Sequence, residues 1–480
     1  MRKRPIAAAL CTLLAAACAA GPDYRRPTAP ASAGEAFVTR AEGIDPASPL
    51  PDDWWRLYND PVLDDLVARA FAANTDLRAA SANLAKARAV LSEARAGRLP
   101  STALSAGGGY GDSVQFGGGQ GGSAQLAGAQ WSGNASASLS WEADLFGRVS
   151  RTVEAAHADT QAVEAARDGV RVLVAAETTR AYLGACANAH ALEVARESAA
   201  ASARSRDLVS AQEKAGSAAR FDVERAAAAA AGSRAAIPAL EAQRQVALFE
   251  LAALLGETPR SVPAAAQACS RPPDLAGAPP LPIGDGAALL RRRPDLREAE
   301  RRLAADTARI GVATADLYPR ISLGGFGGFL RSETVKGSDS LSFSLGPLVS
   351  WSFPNMATAR TRLRQAEAQG DVALATFDGR VLTALKEVEQ ALARVAQGQR
   401  RLDDLAEAEA SAQRAWALAD LRYRAGSISL LDLLVAQSAM LEARSVHAAA
   451  LTQLSSDRVD LFKALGGGWR QESTAEGAKR

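Results

Sequence analysis

Few side chains in this sequence are spaced for covalent chemistry. The 480-residue chain has three histidines, His157, His190 and His447. Each stands alone on a segment that reads as helix, with no metal-ligand spacing around it. Its three methionines, Met1, Met356 and Met440, make no relay for soft copper or silver ions. No G-x-S-x-G elbow is present. The glycine runs of GGGYGDSVQFGGGQGG (107–122) lie in a loop between two expected strands, not ahead of a helix, so they do not cradle a phosphate. RRRPDLREAERR (291–302) is dense in charge, but Pro294 and Asp295 suit the first turn of a helix. No catalytic residue, metal or cofactor is expected.

Function must then come from architecture. Hydrophobic residues make up 48% of the chain, aromatics only 5%, and much of the apolar content is alanine. Alanine favours helix and close helix packing but buries little area per residue. The net charge of +2, from interspersed charges, argues against a nucleic-acid surface. MRKRPIAAALCTLLAAAC opens with Arg2, Lys3 and Arg4, followed by a short apolar run. That reads as a secretory signal, too short to span a bilayer. Ala15 to Ala17 before Cys18 resemble a bacterial lipoprotein cleavage site, with Cys18 as the lipidated residue. Cys11 would leave too short an apolar region. Ala19 is not the aspartate that retains lipoproteins at the inner membrane, which favours outer-membrane delivery.

The sequence repeats itself. TDLRAA (75–80) matches PDLREA (294–299), and KAGSAARFDVERA (214–226) matches RAGSISLLDLLVA (424–436). Trp141 aligns with Trp351, and LLG (254–256) with ALG (464–466). Each copy predicts a helix (62–97; 286–317), two strands, a helix of about 60 residues and a return helix ending at Gly256 or Gly466. Each long helix would extend about 90 Å at 1.5 Å per residue. Turns at Gly216 and Gly426 reverse the chain. The expected divisions are 1–17 signal, 18–61 N-terminal extension, 62–256 first repeat, 257–285 linker, 286–466 second repeat and 467–480 tail.

The strands alternate. In LSFSLGPLVSWSF (341–353), odd positions are large and apolar while even positions are mostly serine or glycine. WSGNASASLSWE (131–142) has the same period of two. Trp131, Trp141, Trp351 and Phe353 stand at strand ends, as in the aromatic belts of membrane barrels. Four strands cannot close a barrel, and an open edge cannot sit in lipid. The chain must oligomerise, to a number that the strands alone leave open.

CAAGPDYRRP (18–27), DDWWRLYNDPVLDDLV (52–67), LLRRRPDLREAERRLAADTARIGVATADLYPRISL (289–323), GPLVSWSF (346–353), LRYRAGSISLLDLLVAQ (421–437) and VDLFKALGGGW (459–469) occur in this order. Over nearly all of the mature chain the sequence resembles TolC/OprM-type outer membrane efflux proteins, in the NodT-like lipoprotein branch serving resistance-nodulation-division (RND) pumps. The resemblance implies a mainly α fold with four strands per chain. Three chains would form a twelve-strand β-barrel and a twelve-helix periplasmic α-barrel. It implies a passive duct for drugs or other small molecules, joined to a periplasmic adaptor and an inner-membrane RND pump. Alternatives are the same duct serving protein secretion or metal-ion export, or an Ala-rich scaffold lipoprotein without a channel.

The resemblance places the glycine turns at the periplasmic tip. Asp432 matches a position where carboxylates narrow the entrance, and the repeat pairs it with Asp222. Repelling carboxylates invite cationic partners such as Arg422 and Arg424. Lys214, Gly216, Ser217, Gly426 and Ser427 are the expected adaptor contacts. Cys186 lies 30 residues before Gly216, and the return helix ends 40 residues after it. The hairpin thus folds Cys186 back toward the equatorial linker, which holds Cys269. In an oxidising periplasm a Cys186–Cys269 disulfide is expected.

Overall fold

The structure, a computed structural model, describes residues 20–40, 43–116, 124–273, 280–332 and 335–469. It is mainly helical with a small sheet contribution. The chain folds as two compact units. One comprises residues 84–163 and 298–377 with the N-terminal stretch up to Pro27; the other comprises Thr28–Asn83, Glu164–Arg297 and the chain from Asp378.

The helices are α1 (Pro61–Ala73), α2 (Thr75–Ala96), α3 (Arg148–Lys214), α4 (Arg220–Leu254), α5 (Ala264–Gln267), α6 (Gly286–Arg292), α7 (Pro294–Ala315), α8 (Ala357–Arg424) and α9 (Leu430–Ala464). The strands are β1 (Ile44–Asp45), β2 (Ser101–Phe116), β3 (Ala124–Ala143), β4 (Leu281–Pro282), β5 (Arg320–Ser332) and β6 (Leu341–Ser350). Among the described residues no helix is long and apolar enough to cross a membrane.

In the first unit β2, β3, β5 and β6 form an antiparallel sheet in that order. The glycine-rich stretch corrects the sequence reading. Gly107 to Phe116 belong to β2, paired through Gly107↔Asn134 and Phe116↔Ala124, with an irregularity between Gly111 and Ser113. Pairing to a neighbouring strand supplies the order that glycine's own backbone entropy opposes. β3 accordingly starts at Ala124, ahead of the expected Trp131.

The N-terminal stretch is strapped to this unit. The Ala20 N–H donates to the Phe146 carbonyl at 3.1 Å. Gly21, at φ +89°, packs so closely that a Cβ there would lie 2.5 Å from Gly311 Cα. Buried Arg151 pairs with Asp23 at 2.6 Å and Glu154 at 2.8 Å. The Tyr24 hydroxyl donates to Glu300 Oε1 at 3.0 Å, and its ring faces the Arg301 guanidinium. Burial and the Glu300 carboxylate push the Tyr24 phenol up to about 12.

In the second unit buried Trp54 stacks on Phe462 at 4.6 Å, and Leu63, Leu66 and Val67 of α1 are buried as well. Elsewhere small residues do the packing: Ala175, Ala176, Cys186 and Ala384 are fully buried on the long helices. α3 has 67 residues and α8 has 68, while α4 and α9 have 35 each. Pro238 lies inside α4 at an exposed position, where water can take the carbonyl it frees.

The two shorter helices expected at 62–97 and 286–317 are each broken. Asn74 ends α1 through its N–H to the Ala70 carbonyl at 2.8 Å. Its side chain then accepts from Asp76 and Leu77 N–H, both at 3.0 Å, and so starts α2. The second break is Arg293, held extended because Pro294 follows it. Its guanidinium pairs with Asp295 and Glu387 and donates to the Ala464 carbonyl at the end of α9.

Candidate functional site: sheet faces and helical tips

The register sorts the sheet into two faces. On one, Leu104, Ala137, Gly327 and Phe343 lie side by side, next to Ala106, Ala135, Phe329 and Leu341. Phe343 is 91% exposed and Leu104 85%, a contiguous apolar surface of a kind that marks membrane or partner contact. On the other face Ser105, Ser136, Gly328 and Ser342 are aligned, with Ser105 and Ser136 hydroxyls 2.7 Å apart. Among the described residues the outer edges of β2 and β6 are unpaired.

The four aromatics expected at the interface are exposed. Trp141 donates its indole N–H to the Arg98 carbonyl at 3.0 Å, and Trp351 to the Leu317 carbonyl at 3.1 Å. Trp351 also stacks on Phe353 at 4.6 Å, just beyond β6. Trp131 pairs across the strands with Tyr110, ring centroids 5.7 Å apart. Cys18 lies outside the described residues.

Both tips in the second unit share one construction. Gly216 and Gly426 have φ of +76° and +72°. The Ser217 N–H donates to the Gln212 carbonyl and the Ser427 N–H to the Arg422 carbonyl, each at 2.9 Å. Each serine hydroxyl reaches the same carbonyl. This is the Schellman closure, and only glycine takes its left-handed position without strain. Lys214 is the exposed last residue of α3.

Asp432 sits in a capping box at the start of α9. It accepts from the Ser429 N–H at 3.0 Å and hydroxyl at 2.7 Å, while its own N–H donates to Ser429 Oγ. The Ser429 hydroxyl and then its N–H hold this exposed carboxyl below its ordinary range. Asp222, in the first turn of α4, pairs with Arg225 at 3.3 Å. Arg424 pairs with Asp420 at 2.9 Å. Within one chain the structure thus gives Asp432 and Arg424 different partners; it does not join them. Arg422 is exposed.

Sequence reasoning missed the contacts between hairpins. Gln212 of α3 and Tyr423 of α8 hydrogen-bond side chain to side chain, the amide N–H donating at 2.7 Å and the hydroxyl at 3.0 Å. Farther from the tips, Arg444 of α9 pairs with Glu197 of α3 and Glu409 of α8, and His447 Nδ1 lies 2.6 Å from Glu409. Nothing in helical periodicity signals such pairs, because they depend on where separate hairpins meet. Cys186 of α3 and Cys269 are joined by a disulfide, S–S 2.03 Å, across 83 residues. No group of three or more His, Cys, Asp or Glu side chains is placed to hold a metal among the described residues.

The sequence profile described as "Outer membrane efflux protein" matches residues 66–257 and 287–467, most of the chain. The chain belongs to the outer membrane efflux protein family. Nodulation protein T of Rhizobium leguminosarum bv. viciae is 30% identical over 474 residues, covering 98% of this chain and 95% of that protein. Outer membrane protein OprJ of Pseudomonas aeruginosa is 32% identical, covering 97% and 96%. Among solved structures, the outer-membrane channel OprN superposes with a TM-score of 0.85 at 35% identity, covering 94% of this chain and all of that one. This outer membrane efflux protein is of the NodT-like branch. It is an efflux channel of the outer membrane that extends into the periplasm.

Proposed function

We propose that three copies of this outer membrane efflux protein close one passive duct. The observation that carries the reading is the four-stranded sheet with an apolar face, a hydroxyl face and two unpaired outer edges. Unpaired edges are untenable in lipid, so β6 of one subunit pairs with β2 of the next. Three subunits give twelve strands, with the apolar faces toward lipid and the serines toward the lumen. The four long helices of each subunit supply a twelve-helix tunnel. Matched helix lengths and the two matching segments support an internal duplication.

The duct makes and breaks no bond and uses no cofactor, so the protein is not an enzyme. Small organic molecules enter at the tips from an inner-membrane RND pump, through a periplasmic adaptor seated on Lys214 to Ala218 and Arg424 to Ser427. Asp432, Asp222, Arg422 and Arg424 narrow the closed entrance, and the Gln212–Tyr423 contact holds the two hairpins together there. A lipid on Cys18 anchors the extension that follows the signal peptide.

Planar-bilayer recording of the purified full-length protein tests the duct. Discrete single-channel conductance is expected; its absence would leave a scaffold instead. Asp432→Ala is expected to raise the frequency of open events, and unchanged conductance and antibiotic leakage would remove Asp432 from the gate.

A further inference from the structure

The serine face of the sheet is not uniformly wet. Along β5 it reads Gly324, Phe326, Gly328, Leu330, small and large apolar residues in alternation. A methyl group on Gly328 would meet Phe326 Cε1 at 2.8 Å and Cζ at 2.9 Å, so the phenyl ring lies down over the Gly328 backbone. A methyl on Gly324 would meet Leu348 Cδ1 at 2.7 Å, so Leu348 of β6 lies over Gly324 in the same way. With Leu330 these side chains make a continuous apolar track along β5. It is about 20 Å long at 3.3 Å per residue.

The track remains open to solvent. Phe326 is 44% exposed, Leu330 47% and Leu348 60%. Hydroxyls flank it: Phe326 stands between Ser138 and Ser344, and Gly328 between Ser136 and Ser342. On this face the positions beside the track carry no charge; Glu142 and Arg320 lie at its end, where each is paired, with Arg148 and Asp316. Such a wall offers little to an ion. A molecule with a ring and a polar part gains twice, by covering the track and by keeping hydrogen bonds to the serines.

We propose that the β5 track is a sliding contact for uncharged, amphipathic organic molecules bearing an aromatic ring, with Phe326 as the residue that selects them. This rests on the barrel reading, which turns the serine face to the lumen. Glycine at 324 and 328 is then required because a side chain there would lift Leu348 and Phe326 into the passage.

The test uses the full-length protein in planar bilayers, with 2-naphthyl glucoside or methyl glucoside added from the barrel side. The naphthyl compound is expected to give current blockades that the methyl compound does not. Phe326→Ser should shorten those blockades about three- to tenfold, the worth of one aromatic contact, with potassium chloride conductance unchanged. Phe326→Leu should retain part of the dwell time, and Leu330→Ser gives an independent shortening if Phe326→Ser does not assemble. Dwell times unchanged in Phe326→Ser or Leu330→Ser overturn the track alone. A wild-type protein that forms no channel overturns the barrel reading, and the track with it.

Discussion

Trp141 gives its indole N–H to the backbone carbonyl of Arg98 at 3.0 Å, tying the end of β3 to the chain just past α2. Arg98 lies two residues before Pro100, and Leu317, which Trp351 reaches, lies two before Pro319. Both tryptophans therefore satisfy a carbonyl where a helix has run out. Trp141→Phe keeps the ring and loses the donor, and should lower stability by about 1 kcal/mol. Thermal denaturation in detergent measures this; an unchanged midpoint would mean water replaces the indole at no cost.

Ser429→Ala should speed amide exchange in the first turn of α9 about fivefold, by removing half of the capping box. Asp432 adds a pH dependence. Because its folded pKa is depressed, its support of the cap is present above the unfolded value near 3.9 and fades as pH falls through the lower folded value. The protection factor at residues 430–433, exchange taken relative to the intrinsic rate at each pH, should fall on acidification below about pH 4 in the wild type and stay unchanged in Asp432→Ala.

The Cys186–Cys269 bond closes a long loop, so reduction or a double serine substitution should cost about 2–4 kcal/mol. Denaturant titration with and without reductant reads the difference. Native mass spectrometry finding two free thiols would remove the premise.

Burial, and next the charge of Arg271, hold His190 below its ordinary pKa, and its Nδ1 has no hydrogen-bond partner among the described residues. Glu193 and Glu409 oppose this shift, and His447 adds to it. The unfolded chain takes up the proton first, so stability is full above about 6.5 and falls as pH drops toward the lower folded value. His190→Gln should flatten the decline of the helix-melting midpoint between about pH 7 and pH 5.5, read by circular dichroism. An equal decline in the variant would assign it elsewhere, with His447→Gln as the control.

Long helices, strand alternation and glycine turns were legible because each is local. Alanine content carries through α3 and α8 with no proline to break them, and Gly216 and Gly426 announce the reversals. Asn74 and Arg293 were harder to read. Asparagine inside a helical pattern is ordinary until its amide finds the Leu254 carbonyl, and Arg293 breaks its helix only because proline follows. The glycines of β2 misled because strand pairing, not side chains, orders them. The turn at Gly426 marks Asp432 as a tip residue, but its partnership with Ser429 is a matter of helix initiation. The Gln212–Tyr423 contact joins residues 211 apart, and no local signal encodes it.

The strap at the N-terminus has a mechanical consequence. Ala20 and Gly21 are fixed against Phe146 and Gly311, and Asp23, Tyr24 and Arg26 hold the stretch that follows. Only Ala19 separates Cys18 from that clamp, a reach of about 7 Å at most. A lipid on Cys18 would then have almost no slack, and the junction of strand and helix would ride at one height against the bilayer. Such an anchor would be a depth stop, setting how far the proposed barrel is drawn into the membrane.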